Sequence, residues 1–132
     1  MTTIDGCISN LKGVKEWGLN RNIYGVSKIY DDADSLITKG MDARQVAILR
    51  ESIGGYCVCE SQPGMESLIR QLFEKRLVDE LYLYVFSYTV GSGIPLFPLN
   101  AGVANYWKLE EAKVYNEEIV RLHYSRVDAT EE

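Results

Sequence analysis

The sequence predicts an α/β domain with a mixed, mostly parallel sheet, and three observations carry that expectation. Met65, Leu68, Ile69, Leu72 and Phe73 fall at i, i+3, i+4, i+7 and i+8, the spacing of an amphipathic helix. Directly after it, Leu81 to Val90 is an almost unbroken apolar and aromatic run, the pattern of a strand covered on both faces. The chain then closes with strand-like stretches at Tyr106 to Tyr115 and Glu118 to Tyr124, joined at Asn116-Glu117 as an antiparallel hairpin.

The remaining elements follow in order. Thr2 to Ser9 reads as a short strand broken by the turn dipeptide Asp5-Gly6. Ile23, Val26, Ile29 and Tyr30 have helical periodicity, with Asn22 placed to cap them. Ala33 to Thr38 reads as a strand ending at Gly40, and Asp42 caps a second helix carrying Val46 and Leu49. Gly55 to Glu60 is the next strand, leading through Ser61-Gln62-Pro63-Gly64 into the Met65 helix. The outer face of that helix bears Glu66, Arg70 and Glu74 at four-residue spacing, worth about 0.2–0.5 kcal/mol per favourable pair. In open α/β sheets ligands bind at the carboxyl ends of strands, here Gly40, the Ser61 to Gly64 turn and Gly91-Ser92-Gly93.

At 132 residues the chain fits a single domain, expected over 1–127, with 128–132 as a disordered acidic tail. Net charge is -5, from 19 acidic and 14 basic residues without a Lys/Arg run, which argues against a nucleic-acid partner. No stretch approaches the roughly 18 apolar residues of a membrane span, and the amino end has no signal-like segment, so the expected compartment is the cytoplasm. Cys57 and Cys59 stand two apart on a segment that reads as a strand. They read as small core residues rather than a metal or redox pair. His123 alternates in phase with Arg121 and Ile119 on the more polar face, which suggests a surface or interface role, and no metal-ligand spacing is present.

Chemistry points to the turn before the Met65 helix. The first N–H groups of a helix lack internal partners and carry the positive end of its dipole, so a pyrophosphate suits them, with Gly64 allowing close approach and Ser67 offering a hydroxyl. An ordinary strand-to-helix turn is the competing reading. Gly91-Ser92-Gly93 permits close backbone approach to a phosphate or flat ligand, or is a loop pinned by Leu96 and Phe97. Asp5-Gly6 places a carboxylate at the cleft rim and Trp17 an aromatic wall, against simple turn and packing roles.

Taken together, these segments resemble the carboxyl-terminal reductase domain of the bacterial bifunctional riboflavin enzyme and the small proteins similar to it that are called dihydrofolate reductase-like. Leu68 to Phe97 carries the strongest likeness, matching the family's helix, its Leu-Val-Asp-Glu junction, the following strand and the Gly-x-Gly-Ile-Pro-Leu-Phe loop. Thr3 to Ser9, Ala33 to Arg44 and the final Arg-Leu-His-Tyr are also similar. The resemblance implies a three-layer α/β/α sandwich, commonly a homodimer, that binds NADPH and passes hydride to a pyrimidine or pterin-like ring. It implies Asp5 as the catalytic residue beside nicotinamide and substrate, with Gly6 and Trp17 on the substrate side. Thr38, Gly40, Gly64, Met65, Glu66, Ser67, Gly91, Ser92 and Gly93 fall at the NADPH side. Gly64-Met65 stands where the family has Gly-Gly, and Gln45 to Gly55 is short where the family's middle holds the adenosine end of NADPH. A non-catalytic dimeric domain with an incomplete cofactor site is therefore the second reading. The aromatic strand Tyr82, Tyr84, Phe86 and Tyr88 adds a reason to expect a homodimer.

Overall fold

Strands and helices alternate through most of the chain before it ends in a hairpin. The computed structural model describes residues 2, 6–10, 25–53, 55–89, 91–96 and 104–127. The elements are β1 (Cys7–Asn10), α1 (Val26–Asp31), β2 (Ser35–Leu36), α2 (Ala43–Ile53), β3 (Cys57–Val58), α3 (Glu66–Glu74), β4 (Glu80–Phe86), β5 (Gly93–Pro95), β6 (Tyr106–Tyr115) and β7 (Ile119–Val127). Asn22, Ile23, Val90 and the tail 128–132 lie outside the described residues.

Local chemistry explains the helix ends. At α2 the expected cap is reciprocal: the Gln45 N–H donates to Asp42 Oδ1 at 2.9 Å, and the Asp42 N–H donates to Gln45 Oε1 at 2.9 Å. α1 starts after Gly25, whose φ of 76° is left-handed, with no side-chain cap. α3 stops in a Schellman motif. The Leu77 N–H reaches Leu72 O at 2.9 Å and the Arg76 N–H reaches Phe73 O at 3.2 Å, with Arg76 at φ 53° where glycine is usual.

The buried face of α3 is the one its periodicity marks: Leu68, Ile69, Leu72 and Phe73, each worth about 1.5–3 kcal/mol of burial. With Ala43, Val46 and Met65 they form one core cluster, against which Ile37, Cys59 and Trp107 pack. A second cluster joins Val26 of α1 to Tyr84, Phe86 and Ile119. One face of β4 and β7 is thus roofed by α1.

Strand order is β4-β7-β6 in one sheet, β2-β3 in a second and β1-β5 in a third. β2-β3 is parallel, as is the bridge between Thr2 and Val85, whereas β1-β5, β4-β7 and β6-β7 are antiparallel. Among the described residues the sheet pairing is therefore mixed but not mostly parallel. The closing hairpin accounts for one of these pairs, since a tight turn joins only antiparallel neighbours, and β7 also runs antiparallel beside β4. That turn has Asn116 at φ 50° and Glu117 at φ 61°, and the Glu118 N–H donates to Tyr115 O at 3.0 Å, which is type I′.

Two further expectations change. The run from Leu81 yields a strand that ends at Phe86 and is not covered throughout, since Tyr82 and Tyr88 are exposed. Tyr84 and Phe86 do not form an open aromatic face, because α1 buries them. The less covered side is the opposite one, where Val120, Leu122 and Tyr124 are half-buried and Leu109 and Val114 are 51% and 63% exposed. Ile119, in phase with Arg121 and His123, is among the most buried residues, so their face is not simply the polar one. No helix among the described residues is long and apolar enough to cross a membrane.

Candidate functional site

Two regions have the geometry of a binding site, and they meet at Ser61 and Leu96. The first is a corner formed where β2 ends and α3 begins. A Cβ built on Gly64 would stand 3.4 Å from Lys39 Nζ, so the Lys39 ammonium lies beside the turn that opens α3. Gly64 has φ 94°, a left-handed conformation that glycine supports without strain. The ammonium and the first-turn amides of α3 both favour an anion there. Lys39 was not among the sequence candidates; its position next to Gly40 at a strand end was the available signal.

Glu66 works against that charge. Its carboxylate accepts the Gly64 N–H, at 3.0 Å to Oε2 and 3.2 Å to Oε1, and so occupies one of the donors a pyrophosphate would use. Met65 is a core residue at 4% exposure; its N–H donates to Gln62 O, and its carbonyl accepts the Ile69 N–H. The Ser67 hydroxyl is exposed and accepts from Gln71 Nε2 at 3.2 Å. Thr38 and Gly40 are exposed, and a side chain at Gly40 would meet only open space.

The fold also brings Gly6 to the glycine-rich loop. β1 pairs with β5 through Asn10 opposite Gly93 and Cys7 opposite Pro95, and the Leu96 N–H donates to Gly6 O at 2.7 Å. Ser61 Oγ donates to Leu96 O at 3.4 Å, which ties the α3 turn to the same loop. Gly91 and Ser92 are exposed on its outer side. Asp5 and Trp17 lie outside the described residues.

The second region is a cavity of about 660 Å3 between β3 and β4. Tyr30, Tyr56, Glu60, Tyr82, Tyr84 and Arg121 are among its lining, and it reaches the corner at Ile37, Ser61 and Leu96. None of the expected site residues that are among the described ones lines it. Glu60 Oε2 accepts from Tyr30 Oη at 2.5 Å and from Gln62 Nε2 at 2.9 Å. Arg121 Nη2 donates to Glu111, and burial pushes the Tyr84 phenol above its ordinary range although Arg121 opposes the shift. Burial, assisted by the neighbouring Glu60, pushes the Cys59 thiol up to about 11, so it stays protonated at neutral pH. Alternating tyrosines in β4 were legible beforehand. Their meeting with β3 was not, because it depends on chain segments distant in sequence.

Among the described residues no group of His, Cys, Asp and Glu side chains is arranged to hold a metal ion. No family model matches the sequence, and no curated protein matches it. The structure is similar to a solved one, the crystal structure named Putative riboflavin biosynthesis protein from Shewanella sp. PV-4, with a TM-score of 0.67 and 15% identity. The match covers 96% of each chain. Such a likeness carries the α/β architecture rather than the chemistry. The two chains are thus of nearly equal length.

Proposed function

We propose that this chain is an NADPH-dependent reductase of a pyrimidine or pterin-like ring, of the riboflavin-pathway kind. In this reading the domain is a three-layer α/β/α sandwich of dihydrofolate reductase type that works as a cytoplasmic homodimer. The observation that carries the reading is the position of Lys39 beside Gly64 at the start of α3. Support comes from the riboflavin name of a protein with the same architecture.

The residues present fit a pyrophosphate. Lys39 supplies a cation, and Gly40, Gly64, Ser67 and the Gly91, Ser92 and Gly93 backbone allow close approach, once Glu66 releases the Gly64 N–H. Thr38, Met65 and Glu66 shape that corner. NADPH would supply the hydride when bound. The chain's own task is to orient the two rings and exclude water, with Asp5, Gly6 and Trp17 toward the substrate. In the homodimer, a second copy covers the apolar side marked by Leu109, Val114, Val120 and Leu122.

A non-catalytic dimeric domain is the second reading, favoured by the Glu66 carboxylate already held on the Gly64 N–H. Titrating NADPH and NADH against tryptophan fluorescence separates the two. Saturable quenching with preference for NADPH supports the reductase; no quenching by either at millimolar concentration refutes it. A monomeric mass at micromolar concentration would remove the homodimer.

A further inference from the structure

We infer that the cavity between β3 and β4 is a slot for a flat, electron-poor aromatic heterocycle, held between Tyr82 and Tyr56. The inference goes beyond the reductase reading, because no residue of the cofactor corner takes part in it.

Tyr82 and His123 are cross-strand partners, and their rings stack with centroids 4.2 Å apart and planes 5° from parallel. Each ring therefore covers one face of the other. Among the described residues β4 is the outer strand in the order β4-β7-β6, so the face of Tyr82 opposite His123 turns away from β7, toward the cavity. The Arg121 guanidinium lies 5.9 Å from the ring centroid. Thr2 bridges that edge of β4 farther along, at Val85. Tyr56, at the start of the β3 segment, lines the same cavity and is 60% exposed, while Tyr82 is 37% exposed.

The platform is held rigidly from behind. A carboxylate only accepts, so His123 Nε2 carries the proton it donates to Glu80 Oε1 at 2.9 Å, which fixes the imidazole plane and with it the stacked phenol. Burial first, then the neighbouring Glu80, keeps the Tyr82 hydroxyl in the neutral phenol form against the opposing effect of Arg121. An electron-rich ring face prefers an electron-poor ring in offset stacking. A volume of about 660 Å3 lies within the range of small-molecule sites. Tyr30 and Glu60, hydrogen-bonded to each other, also line the cavity and give it a polar end.

The test uses lumichrome, a fluorescent, flat and electron-poor ring without phosphate, titrated with the full chain in the absence of nucleotide. Saturable quenching is expected. Tyr82→Ala and Tyr56→Ala should each weaken binding about tenfold, the size of one lost stacking contact, while Tyr82→Phe retains it. Tyr106→Ala, at an exposed tyrosine on β6 outside the cavity, should change nothing. If Tyr82→Ala loses its fold by circular dichroism, Tyr56→Ala decides, since Tyr56 is largely exposed. Quenching that never saturates, or affinity unchanged in Tyr56→Ala, overturns the slot.

Discussion

Asp79 grips Arg50 with both carboxylate oxygens: Arg50 Nη2 donates to Oδ1 at 2.6 Å and Nε to Oδ2 at 2.9 Å. The pair ties the end of α2 to the residue just before β4, and Arg126 Nη2 adds a longer contact to Oδ1 at 3.4 Å. Hydrogen bonding to Arg50 holds the Asp79 carboxyl below its ordinary range against the opposing effect of burial. A depressed folded value means stability that is present above the unfolded value and lost as pH falls through the folded one. Both side chains are substantially exposed, so the effect is small. Asp79→Asn should cost about 0.5–1 kcal/mol near neutral pH, and its gap from the parent in urea unfolding should close as pH drops below about 4.

Arg76 and Glu117 both adopt left-handed backbone that side chains resist, with φ of 53° and 61°. Arg76→Gly and Glu117→Gly should each raise stability by about 0.5–1 kcal/mol, because relief of the strained conformation exceeds the added freedom of the unfolded chain. The check is the urea midpoint at unchanged slope.

Asp42 and Gln45 satisfy each other's backbone at the start of α2. Asp42→Ala should destabilise by about 1 kcal/mol, whereas Asp42→Ser should recover most of it. Thermal unfolding of the variants decides between a cap and an idle surface pair.

Under the reductase reading, Lys39→Ala should weaken NADPH binding about tenfold at low salt without loss of stability, since Lys39 is exposed. Glu66→Gln should strengthen it several-fold by removing the carboxylate that competes for the Gly64 N–H. Affinity unchanged in both variants would place the phosphate elsewhere.

With its thiol raised to about 11, Cys59 should resist alkylation in the folded protein at mildly alkaline pH. Mass mapping after iodoacetamide treatment should find Cys59 modified only when urea is added. Rapid labelling in the folded state would mean that the β3 segment opens readily.

Legibility followed the range of the interaction. The α3 face, the Asp42 cap and the hairpin turn at Asn116-Glu117 depend on neighbours within a few residues, and each stands where the periodicity or turn chemistry put it. The glycine segments were legible as backbone that can approach a ligand. For Glu66 the sequence shows a place in the first turn of α3, but not that its carboxylate takes the Gly64 N–H.

By itself the sequence determined the alternation of helices and strands, the buried stripe of α3 and the closing hairpin, because these are set by spacing along one short segment. Only the tertiary structure decided that β7 lies antiparallel beside β4, that α1 buries Tyr84 and Phe86, and that Lys39 stands by Gly64. Those outcomes rest on contacts between residues tens of positions apart, where the periodicity of any one element says which face is buried but not what buries it.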